Sequence, residues 1–213
     1  MRSLSLWRQV RAGCQLTARS RRGNQAGLVQ GGPGRGLRAV STSSSQPPRL
    51  RHAVRAIILA DADRVLLCRF SFPHPAVPAA ATVVWAAPGG GVESGELPLA
   101  ALRRELHEET GLVIDVDPPH VWHQEVVGPG LADGYAGLVN DYYLVRARHF
   151  DPRGSLSEDD LVAEHISGMR WWQHADIAAY EGTDLFSPRD LATPLGLLIA
   201  GDIPDAPVTI LGP

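Results

Sequence analysis

Lysine is missing from this chain of 213 residues, and cysteine is nearly missing, with only Cys14 and Cys68. Two cysteines so far apart provide neither a disulfide framework nor the spacing of a zinc site, which favours a reducing compartment such as the cytoplasm. Cys68 lies in an apolar run and is predicted to be a buried thiol. No apolar stretch reaches the roughly 18–20 residues that span a bilayer, so we expect a soluble protein.

Acidic residues are missing from the first fifty positions. Residues 1–50 hold nine arginines and no Asp or Glu, whereas residues 51–213 hold 11 arginines and 23 acidic residues. This asymmetry indicates two parts with different tasks. The acidic part argues against nucleic-acid binding through the phosphate backbone and suits a site that recruits divalent cations.

Residues 1–50 also lack sustained apolar periodicity and are rich in Arg, Ser, Gly and Gln. Such a segment buries too little surface to order itself, so we predict that it is disordered and that one domain spans residues 51–213. Three interpretations fit its composition: a mitochondrial transit peptide, a start codon assigned too far upstream in a GC-rich genome, or a basic tail that contacts nucleic acid or anionic lipid. The transit peptide would make the protein mitochondrial rather than cytoplasmic.

Apolar patterning in residues 51–213 predicts short strands, turns rich in Pro, Gly and Asp, and two longer helices. The predicted strands are residues 53–59 and 65–70, which form a hairpin, and residues 82–87, 112–116, 121–127, 141–148 and 168–172. The predicted helices are residues 98–109 and 188–200, and the predicted loops are residues 71–81 and 155–161. This mixture indicates an α/β or α+β sandwich.

Three glutamates on the first predicted helix carry the strongest chemical signal. Glu105, Glu108 and Glu109 have the spacing i, i+3, i+4, so they share one helix face. We expect that face to lie beside the buried stripe formed by Leu99, Leu102 and Leu106, and not within the core. Clustered carboxylates repel one another, and a hard divalent cation with a preference for oxygen ligands, such as Mg²⁺, removes that cost.

The residues before the helix complete this pattern. Gly89 to Gly91 form a loop without side chains, where the backbone can approach a phosphate or offer a carbonyl to a metal ion. Glu96 lies near the helix start, where its negative charge interacts favourably with the helix dipole or its side chain reaches back to the loop. Arg104 can pair with a nearby carboxylate and hold its orientation.

Taken together, these positions resemble the signature of the Nudix hydrolase family. Gly90 is followed after five residues by Glu96 and after seven more by residues 104–112, and every fixed position of the signature is filled. Residues 85–90 resemble the strand that enters this Nudix box, and residues 170–172 resemble a late strand of the family. The resemblance covers residues 51–200 in layout, although only the box and these flanks are specific.

The resemblance implies an α/β/α sandwich with a mixed central sheet and a Mg²⁺-dependent pyrophosphohydrolase, with Mn²⁺ as a substitute. The substrate would be a nucleoside diphosphate derivative such as a nucleoside triphosphate, ADP-ribose or a nucleotide sugar, and a homodimer is a candidate assembly. The implied metal ligands are Glu105, Glu108, Glu109 and the carbonyl of Gly89. The implied supporting and substrate-binding positions are Arg104, Glu96, Gly90 and Gly91.

The general base is left open between two carboxylates. Glu164 lies seven residues before Trp171, in a loop similar to one that supplies the base in some relatives, and Glu108 is the competing candidate. Two other functions are weighed against hydrolysis. An isomerase of the isopentenyl diphosphate type would need Cys68 as a catalytic thiol, and an inactive binding or regulatory module would have lost glutamates of the box, which are all present here.

Aromatic residues and histidines outside the box are predicted to be structural. Packing is favoured over stacking on a nucleobase for four aromatic residues: Trp122, Tyr135, Tyr142 and Tyr143. Of Trp85, Trp171 and Trp172, at least one is expected to be fully buried. The spacing of His74, His120 and His123 does not predict a metal site.

Overall fold

The computed structural model describes residues 49–71, 83–128, 132 and 134–211. The arginine-rich segment lies outside this range, apart from residues 49 and 50, and so does the predicted loop after residue 71. The strands are β1 (Leu50–Ala60), β2 (Arg64–Ser71), β3 (Val83–Ala86), β4 (His120–Val127), β5 (Gly137–Arg146), β6 (Ile166–Gln173), β7 (Leu185–Ser187) and β8 (Val208–Thr209). The helices are α1 (Pro98–Thr110), α2 (Glu158–Ala163), α3 (His174–Ala178) and α4 (Ala192–Ile199).

The strands form one mixed sheet in the order β7-β3-β2-β1-β5-β4-β8, with β6 paired to β2. The predicted hairpin of β1 and β2 is confirmed, but the two strands pair only next to their turn, at Leu59 with Val65 and Ala60 with Arg64. β2 pairs with β6 from Arg64 to Phe70 and with β3 from Cys68 to Ser71, while β1 pairs in parallel with β5 along ten residues. The sheet therefore splits between β1 and β2, and the edge of β1 is available to another segment.

Apolar side chains cover both faces of the sheet. On one face, Leu102 and Leu106 of α1 pack against Val54 and Ile58 of β1. On the other face, α3 and α4 pack with Ile177, Leu191, Leu195 and Leu198 against a larger aromatic core. The predicted α/β/α sandwich with a mixed central sheet is confirmed. None of the helices in the described ranges is both long and apolar enough to cross a membrane.

Two element predictions were wrong. Residues 112–116 are irregular and do not form a strand, because Leu112 and Ile114 turn inward to pack beside α1, and Arg103 binds the carbonyl of Ile114. The predicted acidic loop 155–161 instead runs into α2. Ser157 caps that helix by accepting a hydrogen bond from the Asp160 N–H, and acidic residues in the first turn complement the helix dipole.

The two longer predicted helices are present, with shifted boundaries. The first helix begins at Pro98 and ends before Gly111, whose φ of 76° gives the left-handed conformation that glycine favours at this position. The last helix begins at Ala192, later than predicted. The short elements α3, β7 and β8 were not predicted, because two to five residues carry too little periodicity to be recognised.

Candidate active site

The glycine-rich loop fills the split between β1 and β2. The Val54 N–H donates to the Gly90 carbonyl at 2.9 Å and the Ala56 N–H donates to the Pro88 carbonyl at 2.8 Å, so the loop runs beside β1 as an extra strand would. Gly89 has φ of 130°, and a Cβ atom there would overlap the Val54 carbonyl. Glycine is required at this position because of both its backbone angle and the close approach of β1.

Two of the three glutamates of α1, Glu105 and Glu109, lie against this loop, and their burial differs from the prediction. Glu105 and Glu109 are each only 3% exposed, whereas the Glu108 side chain is 35% exposed. The expectation that all three lie beside the core was wrong, because the glycine loop closes over the helix. Gly90 lies so close to the Glu105 carboxylate that a Cβ atom would overlap it, and the Gly89 N–H donates to Glu109 Oε2 at 2.8 Å.

Burial and mutual repulsion raise the pKa of two of these carboxyl groups. Burial raises the pKa of Glu109 well above its ordinary value, and the charge of Glu105 adds to this effect. Burial likewise raises the pKa of Glu105, against the opposing effect of Arg104. All three side chains offer carboxylate oxygens, which are the donors that a hard divalent cation prefers.

Arg104 ties the loop to the helix. Its Nε and one terminal nitrogen donate to the two carboxylate oxygens of Glu96, at 3.0 and 2.9 Å. The same guanidinium donates to Glu105 at 2.8 Å, to the Gly91 carbonyl at 3.1 Å and, more weakly, to Glu108 at 3.4 Å. Hydrogen bonds from Arg104 lower the pKa of Glu96. One planar cation therefore fixes the carboxylates relative to the loop.

Two buried arginines of β1 belong to this site and were missed in the sequence. Arg55 donates to the carbonyls of Ala87 and Gly89, and its charge opposes the rise in the pKa of Glu109. The guanidinium of Arg51 lies against Gly91, where a Cβ atom would overlap it. The available signal was a pair of arginines four residues apart in a strand that is mostly apolar, since an arginine inside a core needs a partner.

Glu164 follows α2 at the turn into β6 and is partly buried. Its charge is one of the influences that raise the pKa of Glu109, after burial and the charge of Glu105.

The remaining predictions divide into confirmed and corrected ones. Cys68 is a fully buried free thiol whose pKa is raised by burial, so it does not offer a thiol to a substrate, as an isomerase would require.

The packing role of the aromatic residues is confirmed for Trp122, Tyr142 and Tyr143, which are buried, and Trp85 and Trp172 are buried too. The spacing of the histidines in the sequence does not predict a metal site, and His74 lies outside the described residues. Strand pairing brings His120 and His123 together with Asp141.

The sequence model of the NUDIX domain matches residues 49–189. The nucleoside triphosphatase NudI of Escherichia fergusonii is 31% identical over 118 residues, which cover 54% of this chain and 77% of that protein. The RNA pyrophosphohydrolase of Bartonella henselae is 36% identical over 103 residues, which cover 44% of this chain and 57% of that protein.

Solved structures show the same fold at lower identity. A NUDIX hydrolase from Nitrosomonas europaea aligns with a TM-score of 0.52 and 19% identity, covering 75% of this chain and 93% of that one. The MutT protein from Methanosarcina mazei Go1 aligns with a TM-score of 0.51 and 18% identity, covering 74% and 99%. The chain belongs to the Nudix family, whose members generally need a divalent metal ion. It is a hydrolase of phosphoric anhydride bonds.

Proposed function

We propose that this chain is a Mg²⁺-dependent pyrophosphohydrolase that cleaves the diphosphate linkage of a nucleoside diphosphate derivative. The observation that supports this proposal is the placement of the Glu105 and Glu109 carboxylates against the glycine loop, both almost fully buried. Glu108, the third carboxylate of α1, is linked to Glu105 through Arg104. Burying two neighbouring carboxylates is costly for the fold unless a cation compensates them. An inactive binding module would have no reason to maintain that cost.

The proposed metal ligands are Glu105, Glu108 and Glu109, with the carbonyl of Gly89 as a further ligand. All of these donors are oxygen atoms, which favours Mg²⁺, with Mn²⁺ as a substitute. Bound there, the ion would neutralise phosphate charge and polarise a phosphoryl oxygen and a water molecule. The Gly89 carbonyl already accepts a hydrogen bond from Arg55, so the second lone pair of this oxygen is the one available to a ligand.

The protein itself orients the reacting groups. Arg104 positions Glu105 and the Gly91 carbonyl, and the diphosphate would contact the backbone of Gly90 and Gly91. The resemblance implies Glu96 as a supporting or substrate-binding position. Both of its carboxylate oxygens accept hydrogen bonds from Arg104, so we propose a positioning role for it. Arg51 and Arg55 add positive charge behind the loop, which favours an anionic substrate.

Among the candidate substrates, nucleoside triphosphates come first, with ADP-ribose and nucleotide sugars next. The names of the two relatives, a nucleoside triphosphatase and an RNA pyrophosphohydrolase, support an attack on the phosphate chain of a triphosphate. We therefore infer that the attacked bond is a phosphoanhydride linking two phosphates, with water as the nucleophile.

Metal dependence tests the proposed function directly. The purified chain is incubated with nucleoside triphosphates, ADP-ribose and nucleotide sugars, and the products are separated by anion-exchange chromatography. We expect hydrolysis of at least one class with Mg²⁺, none after chelation by EDTA, and recovery when Mg²⁺ or Mn²⁺ is added back. Turnover that persists in EDTA, or no turnover of any class with Mg²⁺, would contradict the proposal.

Glu164 is proposed as the general base because it combines partial burial with an electrostatic influence on Glu109. Glu164→Gln keeps the shape of the side chain but cannot accept the proton of the water, so kcat is expected to fall by about 100-fold. The Mg²⁺ concentration that gives half-maximal activity should stay unchanged. The measurement is a Mg²⁺ titration of steady-state rates.

Glu108→Gln provides the comparison, since loss of a metal ligand should raise the Mg²⁺ requirement. Glu158→Gln is the matched control, at an exposed acid at the start of α2, the helix that precedes Glu164. It should leave both kcat and the Mg²⁺ requirement unchanged. If Glu164→Gln retains full kcat while Glu108→Gln loses it without a change in the Mg²⁺ requirement, the base is Glu108.

A further inference from the structure

A second group of potential metal ligands lies on the sheet, apart from the glutamates of α1. It consists of His120 and His123 on β4 and Asp141 on β5, with His52 on β1 beside them. His123 and Asp141 are direct cross-strand partners, and His52 lies diagonally opposite Asp141 in the parallel pairing of β1 with β5. Three strands that are distant in sequence therefore bring these side chains to one place.

The two oxygens of the Asp141 carboxylate have different neighbours. Oδ1 lies 2.7 Å from His123 Nδ1 and 3.1 Å from His120 Nε2. Oδ2 lies 2.5 Å from His52 Nε2. One donor atom each of His120, His123 and Asp141 all lie within 4.8 Å of one another. A small displacement of the two rings would therefore place two nitrogens and one oxygen around a single ion.

We propose that His120, His123 and Asp141 bind a transition-metal ion of the Zn²⁺ type, at a site separate from the box glutamates. Two imidazoles and one carboxylate are a donor set that suits zinc and its neighbours in the first transition row, whereas Mg²⁺ prefers oxygen ligands alone. Three protein ligands leave a coordination position for water or another small ligand. Partial exposure of both histidine side chains, 28% and 31%, gives the ion a path from solvent.

The neighbours of these ligands orient them in the way that metal sites require. Metal-bound histidines usually donate their second ring N–H to a carboxylate or carbonyl. His123 Nε2 lies 3.5 Å from Glu125 Oε1, which leaves Nδ1 to face the proposed ion. His52 holds the outer oxygen of Asp141, and the ring of His120 stacks on Tyr143 at 4.8 Å.

The carboxylate of Asp141 accepts hydrogen bonds from the histidines around it. Against the effect of burial, hydrogen bonds from His52 and His123 lower the pKa of Asp141, so its carboxylate is ionised. His120 Nε2 also lies 3.0 Å from the Trp122 carbonyl. An ion therefore replaces the hydrogen bonds to Asp141 and requires His120 to carry its proton on Nδ1.

Titration of the full chain, freed of metal, with Co²⁺ tests the proposal without any substrate. Nitrogen ligands in four- or five-fold coordination give strong visible absorption bands, whereas an all-oxygen octahedral site gives weak ones. We expect strong bands that saturate at about one ion per chain and disappear when Zn²⁺ displaces Co²⁺. The bands should persist in Glu109→Gln, which alters only the box, so this result is independent of the proposed hydrolase activity.

Variants of the cluster decide the assignment. His123→Asn and, separately, Asp141→Asn should abolish the strong bands, while His149→Asn, at an exposed histidine on another part of the surface, should keep them. Circular dichroism verifies that each variant is folded. As a second measurement, excess Zn²⁺ should raise the Tm of the wild-type chain by about 5 °C and leave both cluster variants unchanged. Weak bands in the wild type, or strong bands in both variants, would overturn the proposal and leave a cluster held by hydrogen bonds alone.

Discussion

Glu109→Gln is expected to lower kcat/KM by about 10³-fold, because it removes a buried negative charge that we propose as a metal ligand. The substitution preserves the shape of the side chain, and the amide oxygen can still accept the hydrogen bond from the Gly89 N–H. The loss should therefore come from weakened metal binding and not from a changed loop. A Mg²⁺ titration of initial rates should show a higher requirement for the ion together with a lower maximal rate.

The matched control is Glu181→Gln, at an exposed glutamate far along the chain from the box. It removes the same charge from the protein and should keep the wild-type rate. Retention of full activity by Glu109→Gln at low Mg²⁺ would remove this residue from the metal site.

Glu109→Gln is expected to lower activity but not stability. Because burial raises the pKa of Glu109, the unfolded chain loses this proton at a lower pH than the folded protein does. The carboxyl group imposes no penalty below its ordinary pKa, and the folded state loses stability as the pH rises above that value. Without metal and at neutral pH, Glu109→Gln should therefore unfold at the same or a higher temperature than the wild type. The difference should shrink as the solution is acidified, which calorimetry of both proteins can measure.

The sequence was sufficient to predict the helix that carries the glutamates, because its signals are local. Pro98 and Gly111 mark its limits, and the leucine stripe sets its buried face. The burial of Glu105 and Glu109 could not be predicted in the same way. It depends on how far β1 and β2 separate, and that separation is a property of the whole sheet.

The same reasoning explains the missed residues. Arg51 and Arg55 are involved because the glycine loop runs beside β1, a contact between segments more than thirty residues apart in sequence. The cluster around Asp141 depends on the pairing of β5 with both β1 and β4, which sequence spacing does not reveal. In contrast, α2 was not predicted although its signal is local. Ser157 lies three residues before Asp160, a spacing that is typical of a helix N-cap.

Gly90→Ala is expected to reduce kcat/KM by about 10²–10³-fold while the protein stays folded. The added methyl group would overlap the Glu105 carboxylate, which is held by Arg104 and is almost fully buried. The end of a flexible side chain can move where backbone cannot, so the carboxylate should be displaced from its position and the fold retained. The cost in stability should be about 1 kcal/mol, at the low end of the range for overpacking.

Gly168→Ala is the control, because a Cβ atom at that position of β6 meets no atom within 4 Å. It should leave the rate unchanged and stabilise the strand slightly. Steady-state assays with saturating Mg²⁺ and thermal unfolding of both variants separate the two effects. Since Glu105 is displaced and not removed, additional Mg²⁺ should recover part of the activity of Gly90→Ala. A variant that unfolds several kcal/mol more easily but retains its rate would show that Gly90 serves only packing, and that Glu105 need not lie against the loop for hydrolysis.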